Sequence, residues 1–354
     1  MAGQQVLSEM GEQPDVLAAI VARRDDMHGR IRAALPEKLR GICLVARGSS
    51  DNVAIHARYL LELATGLPVS MAAPSIITRY HARLDTDGYL VVALSQSGRT
   101  PEIVSVATAM RDQGASVVAV TNDDDSPLAD VSAVTLSVGT SKELAVPATK
   151  TVTGQLALVT LLAEAVGAGI ADYTGGDTAW AALAGSVRDV LADTDAALRA
   201  VEVLRQHRSA IHLARGLTYA AAMEAALKSK ETSRRVHDGY SSADFLHGPL
   251  TVAGADVPVV AYGVPGPVLA DVIETVGRAA ALGSPVIGVG TPDLVAGLDG
   301  EASAVGLPAA GSVGEALATI PLVVRGQQLA IHTAIALGMD PDSPTGLHKV
   351  TATR

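Results

Sequence analysis

The sequence predicts an α/β protein in which one parallel-sheet unit is built twice. Three observations predict it. From residue 41 to about 168, short β-branched apolar runs alternate with helical patterns, as expected of βαβ units with strands buried on both faces. From about Val201 the alternation begins again. The composition also suits helices packed closely on sheets, with 48% hydrophobic residues, 3% aromatics and 34 glycines.

Residues 1–40 read as helices that precede the first core. Leu7, Met10, Val16, Leu17, Ile20 and Val21 recur at mixed three- and four-residue spacing, with a break near Gly11 and Pro14 and a close at Pro36. Strands are expected at 42–46, 68–71, 89–94, 116–121 and 133–138, with helices near 51–65, 101–113 and 151–167. The polar stretch from Gly167 to about Ala196, which holds Gly175-Gly176, reads as a loop followed by a bridging helix. In the second half, strands are expected at 210–214, 257–263, 285–290 and near 302–306. Helices are expected at 219–232 and 268–282, with another opening at Pro321 and running to Leu337. The helix at 219–232 then matches the one at 51–65. The predicted division is a helical segment 1–40, a first domain with its linker helix 41–195, a second domain 196–340 and a tail 341–354.

A chain of 354 residues has the length of about two domains. Its 27 Lys plus Arg against 37 Asp plus Glu leave a net charge of −10, which argues against a nucleic-acid surface. Any anionic ligand must therefore be held by local groups. The single cysteine, Cys43, lies in the apolar run 41–46, so it reads as a core residue; one cysteine excludes a disulfide within the chain and argues against a cysteine metal site. The first ten residues lack a basic start and apolar core, and no apolar run reaches the ~20 residues of a spanning helix. A cytoplasmic protein without membrane partners is expected.

The most informative stretch is Leu94-Ser-Gln-Ser-Gly-Arg-Thr-Pro-Glu102, where the strand at 89–94 is handed to a helix start at Pro101. Ser95, Ser97 and Thr100 supply hydroxyls, Gly98 permits a tight turn, and Pro101 suits the first helical position. With backbone N–H groups and the helix dipole, this turn suits a phosphate or carboxylate; simple helix capping is the plainer alternative. Arg47-Gly-Ser-Ser-Asp-Asn52 repeats the theme, with Gly48 and Ser49 making the turn and Ser50 either capping the helix, as Asp51 also could, or touching a ligand. Ala145-Val-Pro-Ala-Thr-Lys150 leads into the apolar helix, with Thr149 as the obvious cap and Lys150 a solvated charge or a site residue.

Acid–base character lies in the second half. Glu224, Lys228 and Glu231 are separated by four and three residues and share one helical face. A carboxylate beside a lysine can serve as base on a carbon acid; the competing reading is a row of surface ion pairs, each contributing ~0.3–0.5 kcal/mol. His247, in Leu246-His-Gly-Pro249, falls in a non-helical turn from which its imidazole can move protons near neutral pH, unless it is merely solvated. The tail from Asp342 is broken by Pro and Gly, yet its Lys349 would reach a carbonyl substrate if the tail folds back.

In this order, the 94–100 turn, Glu224-x3-Lys228-x2-Glu231, Leu246-His-Gly-Pro249 and Leu347-His-Lys-Val-Thr351 resemble the isomerase half of glucosamine-6-phosphate synthase, a pair of sugar isomerase (SIS) domains, over residues 41–354. The resemblance implies two tandem SIS domains, each a flavodoxin-like, doubly wound parallel sheet flanked by helices. It further implies a sugar 6-phosphate whose phosphate rests on Ser95, Gln96, Ser97 and Thr100, with Gly48, Ser49 and Ser50 beside it and Val146 and Ala148 adjoining. Glu231 matches the base that shuttles a proton between C1 and C2, and Glu224 and Lys228 match its supporting ion pair. His247 matches the ring-opening histidine supplied by a neighbouring subunit, and Lys349 matches the lysine that engages the open-chain carbonyl. A homodimer without metal or cofactor is implied.

Three positions depart from the family pattern. Arg99 replaces a usual Glu and makes the turn's rim more basic, Ala148 replaces a frequent Ser, and Asp244 replaces a Glu. No glutaminase domain with its cysteine nucleophile is read in residues 1–40, so glutamine-dependent synthesis is not expected. The expected activity is that of the standalone relatives, which convert glucosamine 6-phosphate to fructose 6-phosphate and ammonia. Alternatives are a deglycase acting on fructosamine 6-phosphates, an aldose–ketose phosphate isomerase, and a non-catalytic sugar-phosphate-binding regulator.

Overall fold

The computed structural model describes residues 2–298, 305–309 and 313–349. These form two compact units. The first comprises Asp15–Glu143, Lys150–Asp172 and, at the C-terminus, His348 and Lys349. The second comprises, of the described residues, 2–14, 144–149 and those between 173 and 347.

Three helices come first in the chain: α1 (Gln4–Gly11), α2 (Gln13–Ala22) and α3 (Arg24–Ala34). The alternating elements of the first unit follow as β1 (Gly41–Val45), α4 (Ser49–Thr65), β2 (Val69–Met71), α5 (Pro74–Thr78) and β3 (Tyr89–Leu94). They continue through α6 (Pro101–Arg111), β4 (Ser116–Thr121), α7 (Pro127–Asp130), β5 (Val134–Ser137) and α8 (Lys150–Val166). The five strands are parallel in the order β2-β1-β3-β4-β5. Alternate residues on one face, Cys43 and Val45 of β1, Val91 and Ala93 of β3, and Val117 and Ala119 of β4, pack on Ile103, Val106 and Met110 of α6. On α8 nearly every residue is buried, because α4 and α3 pack against it.

Between the sheets the chain forms α9 (Ala171–Thr174), α10 (Gly176–Ala192) and α11 (Thr194–Leu204), where a loop and one helix were expected. The second unit continues with β6 (Ser209–Ala214), α12 (Tyr219–Ser233), β7 (Val236–Ser241), α13 (Ser242–Leu246), β8 (Val259–Gly263) and α14 (Leu269–Ala281). It ends with β9 (Val286–Gly290), α15 (Pro292–Gly297), β10 (Val305–Pro308) and α16 (Glu315–Ala336). Its sheet is parallel in the order β7-β6-β8-β9-β10, the first sheet's order over again. Ile211, Leu213, Val259 and Ala261 pack on Phe245 and on Val272 and Val276 of α14, while α12 packs along α16.

Three expectations change. β7 was not predicted: it is an edge strand, Val236-His-Asp-Gly-Tyr-Ser241, in which His237 alone is fully buried, so it has no apolar signature. α16 opens at Glu315 rather than at Pro321, which lies inside it. An internal proline costs a helix about 3 kcal/mol, but burying Leu317 and Ile320 in the turns before it contributes about 1.5–3 kcal/mol each. The strand expected near 302–306 is found at Val305–Pro308; residues 302–304, like the end of the tail at 350–354, lie outside the described residues. Among the described residues, no helix is long and apolar enough to cross a membrane.

Candidate functional site

In a sheet of order 2-1-3-4-5 the chain leaves β1 toward one side and β3 toward the other, and ligands bind beyond the carboxyl ends of those two strands. In the first unit the segments at this point are 46–48, which runs into Ser49 and Ser50 at the start of α4, and the hydroxyl-bearing turn 95–100.

The 95–100 turn is closed by Gly98 N donating to Ser95 O at 3.0 Å and is tied to the next strand by Ser95 N donating to Val120 O at 3.1 Å. Gly98 has φ +61°, and a Cβ there would lie 2.0 Å from Ser126 Oγ, so only glycine fits. Thr100 stands at the N-cap position of α6, yet its side chain makes no capping bond; its Oγ1 meets Ser95 Oγ at 3.1 Å. Ser97 Oγ accepts from Arg99 N at 3.2 Å. Gln96 is held through its carbonyl, which accepts from Asn122 N at 3.0 Å and Thr121 Oγ1 at 3.3 Å. The hydroxyls are thus not spent on capping the helix.

Across the switch point, Gly48 with φ +62° precedes α4, which begins at Ser49. Neither Ser50 nor Asp51 is the N-cap residue, as one reading of the loop had it. Buried Ser50 donates from Oγ to Gln155 Oε1 of α8 at 3.0 Å. Asp51 has its pKa raised by burial, with Arg47 opposing the shift. Arg47 pairs with Glu102 in the first turn of α6 at 3.0 Å. Arg99 is paired at the rim: Nη2 and Nε bind Asp123 Oδ2 at 2.8 and 3.0 Å, and Nη2 also donates to Asp125 O at 3.2 Å.

Lys349 also belongs to the first unit. Its Nζ donates to Glu143 Oε2 at 2.8 Å, and Glu143 accepts in turn from Thr151 N at 3.2 Å and Thr151 Oγ1 at 2.7 Å in the first turn of α8. Lys150 is buried and donates to Ser141 Oγ at 2.8 Å, so it is not a solvated charge.

In the second unit, α12 brings Glu224, Lys228 and Glu231 onto one face, and they are not a surface row. Lys228 is 1% exposed and Glu224 2%, while Glu231 is 23% exposed. Lys228 Nζ lies 3.5 Å from Glu224 Oε1 and donates to Glu231 Oε2. Burial alone pulls Lys228 toward its neutral form, but the two carboxylates outweigh it and raise its pKa above the ordinary lysine value. A locked ammonium therefore orients the carboxylate of a partly exposed glutamate. His247 is exposed at the end of α13, with its N–H donating to Asp244 O at 3.1 Å. Val146 N donates to Asp342 O at 3.0 Å, and half-buried Ala148 adjoins it in the same segment.

Sequence reasoning missed Glu143 and Gln155. Gln155 had a signal, a glutamine in the middle of an apolar helix; Glu143 had only its place two residues before the 145–150 cluster. Among the described residues, no group of three or more His, Cys, Asp or Glu could hold a metal ion.

A family model described as the SIS domain matches residues 37–165 and 203–291. Curated relatives include the glutamine–fructose-6-phosphate aminotransferase (isomerizing) of Gloeobacter violaceus, 31% identical over 357 residues and matched over 97% of this chain and 58% of that protein. The enzyme of the same name from a Nostoc species is 33% identical, again over 97% and 58%. The chain therefore spans little more than half the length of these relatives. Among solved structures, a protein of Silicibacter pomeroyi DSS-3 provisionally named a phosphosugar isomerase is 31% identical with TM-score 0.80, over 97% of this chain and all of that one. The glucosamine-6-phosphate deaminase of Thermotoga maritima shares the fold, with TM-score 0.76 at 20% identity over 99% and 100%.

Proposed function

The chain belongs to the SIS domain family, and on that premise we propose that it is an amino sugar phosphate deaminase/isomerase that converts glucosamine 6-phosphate and water to fructose 6-phosphate and ammonia. The observation that carries the reading is the buried ammonium of Lys228 between Glu224 and the partly exposed Glu231. Such a carboxylate is fixed in direction and open to a carbon acid, which is what moving a proton between adjacent carbons requires.

Each residue then has a role. Ser95, Gln96, Ser97 and Thr100, with Gly48, Ser49 and Ser50, bind the phosphate through hydroxyls and backbone N–H groups. His247 transfers the proton that opens the sugar ring, within a homodimer in which it serves the neighbouring subunit. Glu231 takes the C2 proton of the open-chain aldehyde and returns it to C1, giving a C2 ketimine; water adds to C2 and ammonia leaves. Lys349 engages the carbonyl at C1. Val146 and Ala148 line the substrate's path. This direction consumes water and needs no glutamine, and the chain's one cysteine, Cys43, is buried with its thiol pKa raised by burial.

The test is ammonia release by the purified protein from glucosamine 6-phosphate without glutamine, with galactosamine 6-phosphate and fructosamine 6-phosphates in parallel. Ammonia with fructose 6-phosphate from the first substrate supports the proposal. Release from another substrate alone transfers the activity to that sugar. Silence from all of them, with phosphate ligands still bound, makes the protein a sugar-phosphate-binding regulator.

A further inference from the structure

We infer that Glu143 is the positioning residue for Lys349, holding the C-terminal lysine as a fixed ammonium that acts through its charge. The inference rests on the reading above, in which Lys349 engages the substrate carbonyl. Glu143 has no solvent-exposed side chain surface, Lys349 has 20%, and their contact at 2.8 Å joins positions 206 residues apart. Lysines near chain ends are ordinarily mobile, since immobilising such a side chain costs most of its rotamer freedom. Here a charge-assisted hydrogen bond to a buried carboxylate opposes that freedom. The carboxylate is itself immobile: Thr151 N and Oγ1 both donate to it at the start of α8, where the helix dipole favours a negative charge. The arrangement runs from helix terminus to carboxylate to ammonium, and it directs the head of a partly exposed lysine by a rigid support. An ammonium so held donates to a carbonyl oxygen and stabilises the negative charge that grows there as the C2 proton departs.

The competing role for Glu143 is only to cap α8. Glu143→Gln separates the two, because the amide oxygen still accepts from Thr151 while the charge that holds Lys349 is gone. Hydrogen–deuterium exchange without substrate is the first measurement. In Glu143→Gln and in Lys349→Met, exchange in the 341–349 segment should rise about tenfold or more, while the 150–166 segment stays protected, a pattern that local opening of the tail produces and loss of a cap does not. On whichever sugar phosphate is turned over, Glu143→Gln should lower kcat about a hundredfold with KM little changed. Lys349→Arg should retain more activity than Lys349→Met, and the Glu143→Gln/Lys349→Met pair should be no slower than Lys349→Met alone. Unchanged tail exchange, or additive kinetic losses, overturns the inference. A wild-type protein that turns over none of the sugars removes the deaminase reading instead, and the exchange result still decides this one.

Discussion

The two sheets share one strand order, yet the residues at their reversal points differ. In the first unit, β1 leads through Gly48 into Ser49 and Ser50 at the start of α4, and β3 leads into the turn Ser95-Gln-Ser-Gly-Arg-Thr100, so hydroxyls follow both strands. In the second, β6 leads into a short 3₁₀ turn at Gly216–Thr218, where Thr218 Oγ1 is spent on Arg215 O at 3.0 Å, and β8 leads into Val264-Pro-Gly-Pro-Val268, which has no hydroxyl. The helices after the first strand of each sheet differ in the opposite sense. In the first unit, α4 buries Asn52 and His56 among apolar residues, whereas α12 buries Glu224 and Lys228. Repeating a fold repeats its scaffold, because the apolar alternation that builds sheets is indifferent to the loops. The loops and one helix face diverge, and in the function proposed above the first unit binds the phosphate while the second moves the proton.

Four substitutions test that difference between the units. The largest effect is expected from Lys228→Met, which leaves two carboxylates on a buried face without their cation. It should destabilise the protein by about 3–5 kcal/mol, read as a lower urea midpoint, and abolish turnover. A midpoint within experimental error of wild type would return the triad to the status of a surface ion pair. Glu231→Gln should lower kcat about a thousandfold while inorganic phosphate still binds, as isothermal titration can show. Preserved turnover in that variant removes the second unit's claim to the chemistry.

A smaller effect concerns buried histidines of the second sheet. His212 Nδ1 lies 3.0 Å from Tyr262 Oη and Nε2 lies 2.9 Å from His237 Nδ1, a chain across three adjacent strands. Burial first, then Arg235 and Lys230, pushes the pKa of His237 down to about 4. Burial, then His237 and Lys230, lowers that of His212. The native state keeps both neutral while the unfolded chain takes up protons below about pH 6.5. The contribution of His237 is therefore complete above that pH, is lost as pH falls from 6.5 toward 4, and amounts to about 3 kcal/mol, while that of His212 has the same sign. Melting temperature against pH should fall less steeply over that window in His237→Gln than in wild type, and parallel curves would refute the assignment. The smallest effect belongs to the first unit: Gly98→Ala forces a side chain against Ser126 at positive φ and should raise KM about tenfold, or 1.4 kcal/mol, with kcat nearly unchanged. A change confined to kcat would separate this turn from binding.

The legibility of these features follows their range along the chain. β3 and β4 were read to the residue, because a buried parallel strand is a continuous β-branched run bounded by turns. β7 escaped because an edge strand half open to solvent carries polar residues, and its place was set by pairing with β6, from Ser209↔Val236 to Ala214↔Ser241. The Glu224–Lys228–Glu231 face was visible as helical spacing, but its burial was not, since α16, which packs along α12, lies about a hundred residues further on.

The alternation, the hydroxyl turn and the shared face of Glu224, Lys228 and Glu231 were legible in the sequence because each arises between residues within about ten positions of one another, and the repetition because the same local pattern recurs. The burial of Lys228, the pairing of Arg99 with Asp123, the bond from Ser50 to Gln155 and the contact of Lys349 with Glu143 came with folding. Those outcomes depend on which surfaces leave water together, and hydrophobic burial, being non-directional, leaves no local pattern from which a charged or polar residue's distant partner could be read.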